Sequence, residues 1–137
     1  MSLHFAFMGF RHGHILEAYR EAGAHAGCRV VAACEEDAET RAGLKGQAEV
    51  THSTYAQMLD ESGCDVVAVG DYYGRRGAVI LEALRRGKHV LCDKPVCTSL
   101  QELDQIEALS REKGLAVGCQ LGMPFSPSIL ALRELVA

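Results

Sequence analysis

The stretch Phe5-Ala6-Phe7-Met8-Gly9-Phe10-Arg11-His12-Gly13-His14-Ile15 decides the fold: an apolar, strand-like run passes through a glycine into a segment of helical period. In an open α/β sheet this is the turn that approaches a pyrophosphate. Free backbone amides at a helix N-terminus carry partial positive charge, and glycine lets the main chain come close to the anion. Of the three usual glycines only Gly9 is in place; Arg11 stands at the second position, His14 at the third, and Gly13 comes one residue early. The cofactor-binding candidates here are Gly9, Arg11, His12, Gly13 and His14. Arg11 either offers a cation to the phosphates or fills the space they need, and a tight turn with no ligand is the alternative.

Outward from that turn, five short apolar runs (5–8, 29–34, 65–69, 89–92 and 115–119) alternate with segments of helical period. Strands joined through helices run parallel, and a parallel sheet buried on both faces needs runs this apolar. Glu49-Val50 reads as a weaker, sixth strand at an edge. Helices are expected near 13–22, 38–44, 55–61, 74–86 and 100–113. The clearest is 100–113: Ser99 and Glu102 suggest a capping box, Leu100, Leu103, Ile106 and Leu109 share a face, and Lys113-Gly114 ends it. The expected architecture is a Rossmann-type doubly wound parallel sheet, strand order 3-2-1-4-5-6, with helices on both faces.

The chain has 137 residues, 48% of them hydrophobic and 23% charged, enough for one core and one domain over 1–137. Such a sheet plus a substrate-holding domain does not fit this length, so a two-domain enzyme would be present only in part. A last amphipathic helix begins at Ser128 and stops at Ala137, which reads as a cut. Fourteen basic against 18 acidic residues, net −4, argue against nucleic acid as partner. No apolar run approaches the ~20 residues that span a bilayer, and Met1-Ser2-Leu3 leads straight into the first strand. The expectation is a soluble, cytoplasmic protein with no membrane partner. Its six cysteines include no Cys-x-x-Cys pair and read as free, mostly buried thiols.

The second strand runs into Cys34-Glu35-Glu36-Asp37. Glu35 lies where a carboxylate accepts hydrogen bonds from the adenosine ribose, and its charge would repel a 2′-phosphate, so NAD is expected over NADP. The competing reading is that Glu35 caps the next helix. The strongest signal is Gly87-Lys88-His89-Val90-Leu91-Cys92-Asp93-Lys94-Pro95, which sets Lys94 at the carboxyl end of a strand, the edge where open parallel sheets bind ligands.

On these residues, and on Ala83-Leu84-Arg85-Arg86 before them, the chain resembles the glucose-fructose oxidoreductase, inositol dehydrogenase and MocA (Gfo/Idh/MocA) family of NAD(P)-dependent enzymes over nearly its whole length. Asp93-Lys94-Pro95 looks like the family's Glu-Lys-Pro motif with aspartate for glutamate. The resemblance implies a cis bond before Pro95 and a catalytic Lys94 beside the nicotinamide and the reacting hydroxyl. It implies hydride transfer between the cofactor and a sugar, polyol or related hydroxyl compound. It also implies a C-terminal substrate and dimerisation domain absent from this chain, with Asp93, Lys94 and Pro95 at the cofactor and a homo-oligomer left open.

The chain departs from the family where Thr-Pro-Asn usually follows the fourth strand: it has Gly70-Asp71-Tyr72-Tyr73. Asp71 and Tyr72 are the cofactor candidates there. His12 and His14 as a turn pair without spaced partners do not make a metal site, so no metal is expected. Arg75-Arg76 and Arg85-Arg86 read as solvated helix faces. The reading from a different class is a nucleotide-sensing or regulatory protein that kept the fold without turnover.

Overall fold

The computed structural model describes residues 2–122 and 126–136. In chain order the elements are β1 (Leu3–Met8), α1 (Gly13–Ala24), β2 (Cys28–Cys34), α2 (Ala38–Gly43), α3 (Tyr55–Glu61), β3 (Val66–Val69), α4 (Tyr73–Arg85), β4 (His89–Cys92), α5 (Leu100–Lys113), β5 (Val117–Cys119) and α6 (Pro127–Val136). All strand pairs are parallel, in the order β2-β1-β3-β4-β5. This is the expected doubly wound sheet with its outermost strand reduced. The segment at Glu49-Val50 forms no strand; just after it Thr51 N–H and His52 N–H donate to Ala33 O at 2.9 and 3.1 Å, and Cys34–His52 is an isolated bridge. The physical reason lies in Thr51, whose hydroxyl accepts from Ala33 N–H at 3.1 Å and so takes a donor that a ladder carbonyl would use.

Successive strand residues point to opposite faces, and each face has its own core. Ala6, Met8, Val67, Val69, Val90 and Cys92 pack under α3, α4 and Ile106 of α5. Phe7, Ala33 and Ala68 pack under Ile15 and Ala18 of α1 and Leu44. Helices therefore cover both sides, as the uninterrupted apolar strands require.

Two expectations change. In α5, Ser99 Oγ accepts from Glu102 N–H and Gly114 closes the helix at φ +64°, but the apolar face is displaced. Ile106 is buried and Leu109 packs against the core, whereas Leu100 and Leu103 stay exposed. The helix docks on α4 through Gly77, where the Glu102 carboxylate occupies the space a Cβ would need. The paired arginines also separate: Arg76 is 3% exposed and belongs to the interior, not to a solvated stripe. Among the described residues no helix is long and apolar enough to cross a membrane.

Candidate functional site

The carboxyl ends of β1, β3 and β4 converge, and their turns lock together through close backbone approach. Gly9 has φ +79°, and a Cβ there would lie 2.6 Å from the Asp71 main chain. Only glycine fits both demands. Gly70 is held as closely, since a Cβ on it would sit 2.5 Å from Ile15. Arg11 N–H donates to Gly70 O at 3.0 Å. These contacts aim the N-terminus of α1 out of the sheet edge. His12 caps that helix weakly, accepting from His14 N–H at 3.5 Å, and the first turn holds no acidic residue. Nothing lies within 4 Å of a Cβ placed on Gly13. The cradle for an anionic pyrophosphate is thus open and unopposed, and the residues present fit a dinucleotide.

A cavity of about 260 Å³ lined by Arg11, His12, Gly13 and Thr40 lies at the cradle itself, and two more bear on the site. The first, about 400 Å³, is lined by Arg11, Glu36, Asp37, Asp71, Tyr72 and Arg75. Glu35 is not among them. It is 1% exposed, and its two oxygens accept from Phe10 N–H at 2.7 Å and Asp37 N–H at 2.9 Å. The carboxylates at the rim are its neighbours. Arg75 pairs with Glu36 at 2.7 Å and approaches Asp71 at 3.3 Å; Arg11 pairs with Asp37 at 3.0 Å. Burial would raise the Glu36 carboxyl, but the Tyr55 N–H and the Arg75 guanidinium outweigh it and hold it below the usual carboxylate range. Bonds from Thr40, then the charge of Arg11, do the same for Asp37, which caps α2 in the place considered for Glu35.

The second cavity, about 230 Å³, is lined by His14, Glu17, Lys94, Gln120 and Gly122. The Lys94–Pro95 bond is cis. Behind Lys94 lies Asp93, 1% exposed, whose Oδ1 accepts from Lys94 N–H at 2.8 Å and whose Oδ2 accepts from Arg76 Nη2 at 3.2 Å. Arg76 also donates to Asp71 O at 2.8 Å and Pro95 O at 3.1 Å, tying the β3–α4 and β4–α5 turns together. Reading the sequence missed Arg76, although it shares the helical face of Ile80 and Ala83, both fully buried. His12, His14 and Asp93 bring ligand-type atoms within 4.8 Å of one another. Asp93 Oδ2 already accepts from Arg76 and His14 Nδ1 lies 2.8 Å from Lys94 Nζ, however, so a divalent ion there would meet two positive charges.

All six cysteines are free. Burial, then the neighbouring Cys119, pushes the Cys92 thiol up to about 12, and burial, then Glu36, does the same to Cys34, so neither offers a thiolate near this edge. The Tyr72 and Tyr73 rings lie 4.2 Å apart between centroids, tilted by 35°, and stay about half exposed.

Comparison with known proteins agrees with this geometry. Residues 3–121 match the family model GFO_IDH_MocA, described as "Oxidoreductase family, NAD-binding Rossmann fold". The chain is 28% identical over 86 residues to the trans-1,2-dihydrobenzene-1,2-diol dehydrogenase of Sus scrofa, an alignment covering 63% of this chain and 26% of that protein. Its fold superposes on myo-inositol 2-dehydrogenase from Lactobacillus plantarum with TM-score 0.85 at 19% identity, covering 99% of this chain and 41% of that one. It likewise superposes on the WlbA dehydrogenase from Bordetella pertussis in complex with NADH and UDP-GlcNAcA, with TM-score 0.84, 16% identity, and 99% and 42% coverage. The chain thus spans about a quarter of that curated relative and about two fifths of those solved chains.

Proposed function

The chain belongs to the Gfo/Idh/MocA oxidoreductase family, and from that premise we propose that it forms the NAD-binding half of an enzyme moving a hydride between nicotinamide and a hydroxyl-bearing carbon of a sugar, polyol or related diol. The observation that carries this reading is Lys94, which lines an open cavity on the same sheet edge as the glycine cradle. In the proposed roles Gly9, Gly13 and the first-turn amides of α1 hold the pyrophosphate, with Arg11, His12 and His14 around it. Asp71 and Tyr72 line the ribose side, and Glu35 supports the Glu36-Asp37 rim from beneath. Asp93 and Pro95 set the direction of Lys94, which exchanges a proton with the reacting hydroxyl. When bound, the nicotinamide supplies the hydride acceptor. Further substrate contacts come from a second domain, as does any dimer interface.

NAD is preferred over NADP because Glu36 and Asp37 are both held ionised, so a 2′-phosphate would meet two carboxylates whose arginine partners are already engaged. The free-thiol composition fits a reducing cytoplasm. Fluorescence titration of the chain with NADH and NADPH tests the cofactor reading: NADH binds at least about tenfold tighter, an expected gap of ~1.4 kcal/mol. A folded chain that binds neither overturns it. In the whole protein Lys94→Ala lowers polyol oxidation about a hundredfold or more with NADH binding little changed. Binding without any turnover in the wild type would favour the sensor reading.

A further inference from the structure

Lys94 shares its ammonium with a residue 80 positions away. Its Nζ lies 2.8 Å from Nδ1 of His14. A contact this short between an amino group and a ring nitrogen requires one proton between them, so a neutral His14 accepts at Nδ1 from the Lys94 ammonium. Asp93 Oδ1 stands 3.5 Å from the same His14 nitrogen and 3.9 Å from Lys94 Nζ, close to both partners. The groups facing His14 are Glu17 from α1, His12 at its N-cap, Asp93 and Lys94 from the β4–α5 turn, and Gln120 after β5, with Arg76 behind Asp93. Among the described residues Gln120 Nε2 reaches only the His14 carbonyl, at 3.5 Å. The His14 side chain is 44% exposed, so the pair links the cavity to water.

We propose that His14 is a positioning residue that serves as the proton outlet of Lys94, a role that rests on the oxidoreductase reading above. In the oxidation direction Lys94 first passes one ammonium proton to His14 Nδ1 and becomes an amine. The substrate O–H bond then breaks, its proton forming a new N–H bond on Nζ, while the C–H bond breaks with its electron pair, a hydride that nicotinamide would accept when bound. The His14 imidazolium returns one proton to water. Lys94 ends as the ammonium and His14 as the neutral ring, with one proton released per alcohol oxidised. If His14 already carries a proton, the first transfer is blocked, so oxidation slows toward acid pH.

Two measurements test this. Long-range proton–nitrogen NMR of the histidine rings in the chain finds His14 unprotonated at Nδ1, with that nitrogen's shift moving on Lys94→Met; an Nδ1–H tautomer overturns the proposal. In the whole protein, with myo-inositol and trans-1,2-dihydrobenzene-1,2-diol as probes, His14→Gln lowers kcat tenfold or more. KM for the probe stays within about twofold, the acid limb of the pH profile is lost, and added imidazole restores rate to His14→Ala. Wild-type kcat and pH profile in His14→Gln overturn the role of His14 alone. A wild type that binds no NADH or oxidises neither probe overturns the parent reading and this role with it.

Discussion

The two ends of the cleft are built on opposite principles. At the Lys94 end the supporting charges are inside: Asp93 and Arg76 are 1% and 3% exposed and are fixed by main-chain partners from two turns. At the Arg11 end the pairs Arg11–Asp37 and Arg75–Glu36 stand at the surface, with side chains 30–53% exposed. Charges in water are screened and contribute little to stability, whereas a buried pair is strongly coupled and costly to break. In the proposed roles the lysine is thus backed by buried, closely coupled charges, and the rim beside the cofactor by charges screened in water.

The contrast can be broken most severely at Arg76. Arg76→Met leaves Asp93 buried without its cation, and urea denaturation finds a loss of about 3–5 kcal/mol; adding Asp93→Asn recovers part of it. A loss no larger than that of a surface pair would show that the two ends do not differ. Gly9→Ala comes next, because the new methyl meets the Asp71 main chain in a left-handed backbone. It costs about 1–3 kcal/mol and weakens NADH binding together with stability. The smallest effect is at the rim. The Glu36 carboxyl is lowered in the fold, so its contribution is complete above the unfolded value of about 4.3 and is lost as pH falls through the lower folded value. Glu36→Gln is therefore slightly less stable than wild type at neutral pH, and the thermal midpoints converge below about pH 4. A gap that widens on acidification would reverse the assigned sign.

Legibility follows the range of the interactions. The β1 turn, the alternation of strands and helices and the Gly87–Pro95 block could be read because strand period, glycine turns and caps are local. The face of α5 could not be assigned from spacing, since Ile106 is buried and Leu100 exposed according to where Gly77 of α4 admits the helix. The spacing puts Glu35 at the end of the right strand, yet its inward turn depends on Phe10 N–H, 25 residues away. Arg76 looked like half of a surface pair, and its partner Asp93 lies 17 residues on across a strand.

The sequence by itself determined a parallel, doubly wound sheet with a nucleotide-type turn and a lysine at its carboxyl edge, because apolar period and backbone freedom act over a few neighbouring residues. Only the tertiary structure decided which carboxylates face the cavity, which arginine is buried, and that His14 meets Lys94. Those choices depend on which turns the sheet brings within hydrogen-bond reach, a distance in space that separation along the chain does not encode.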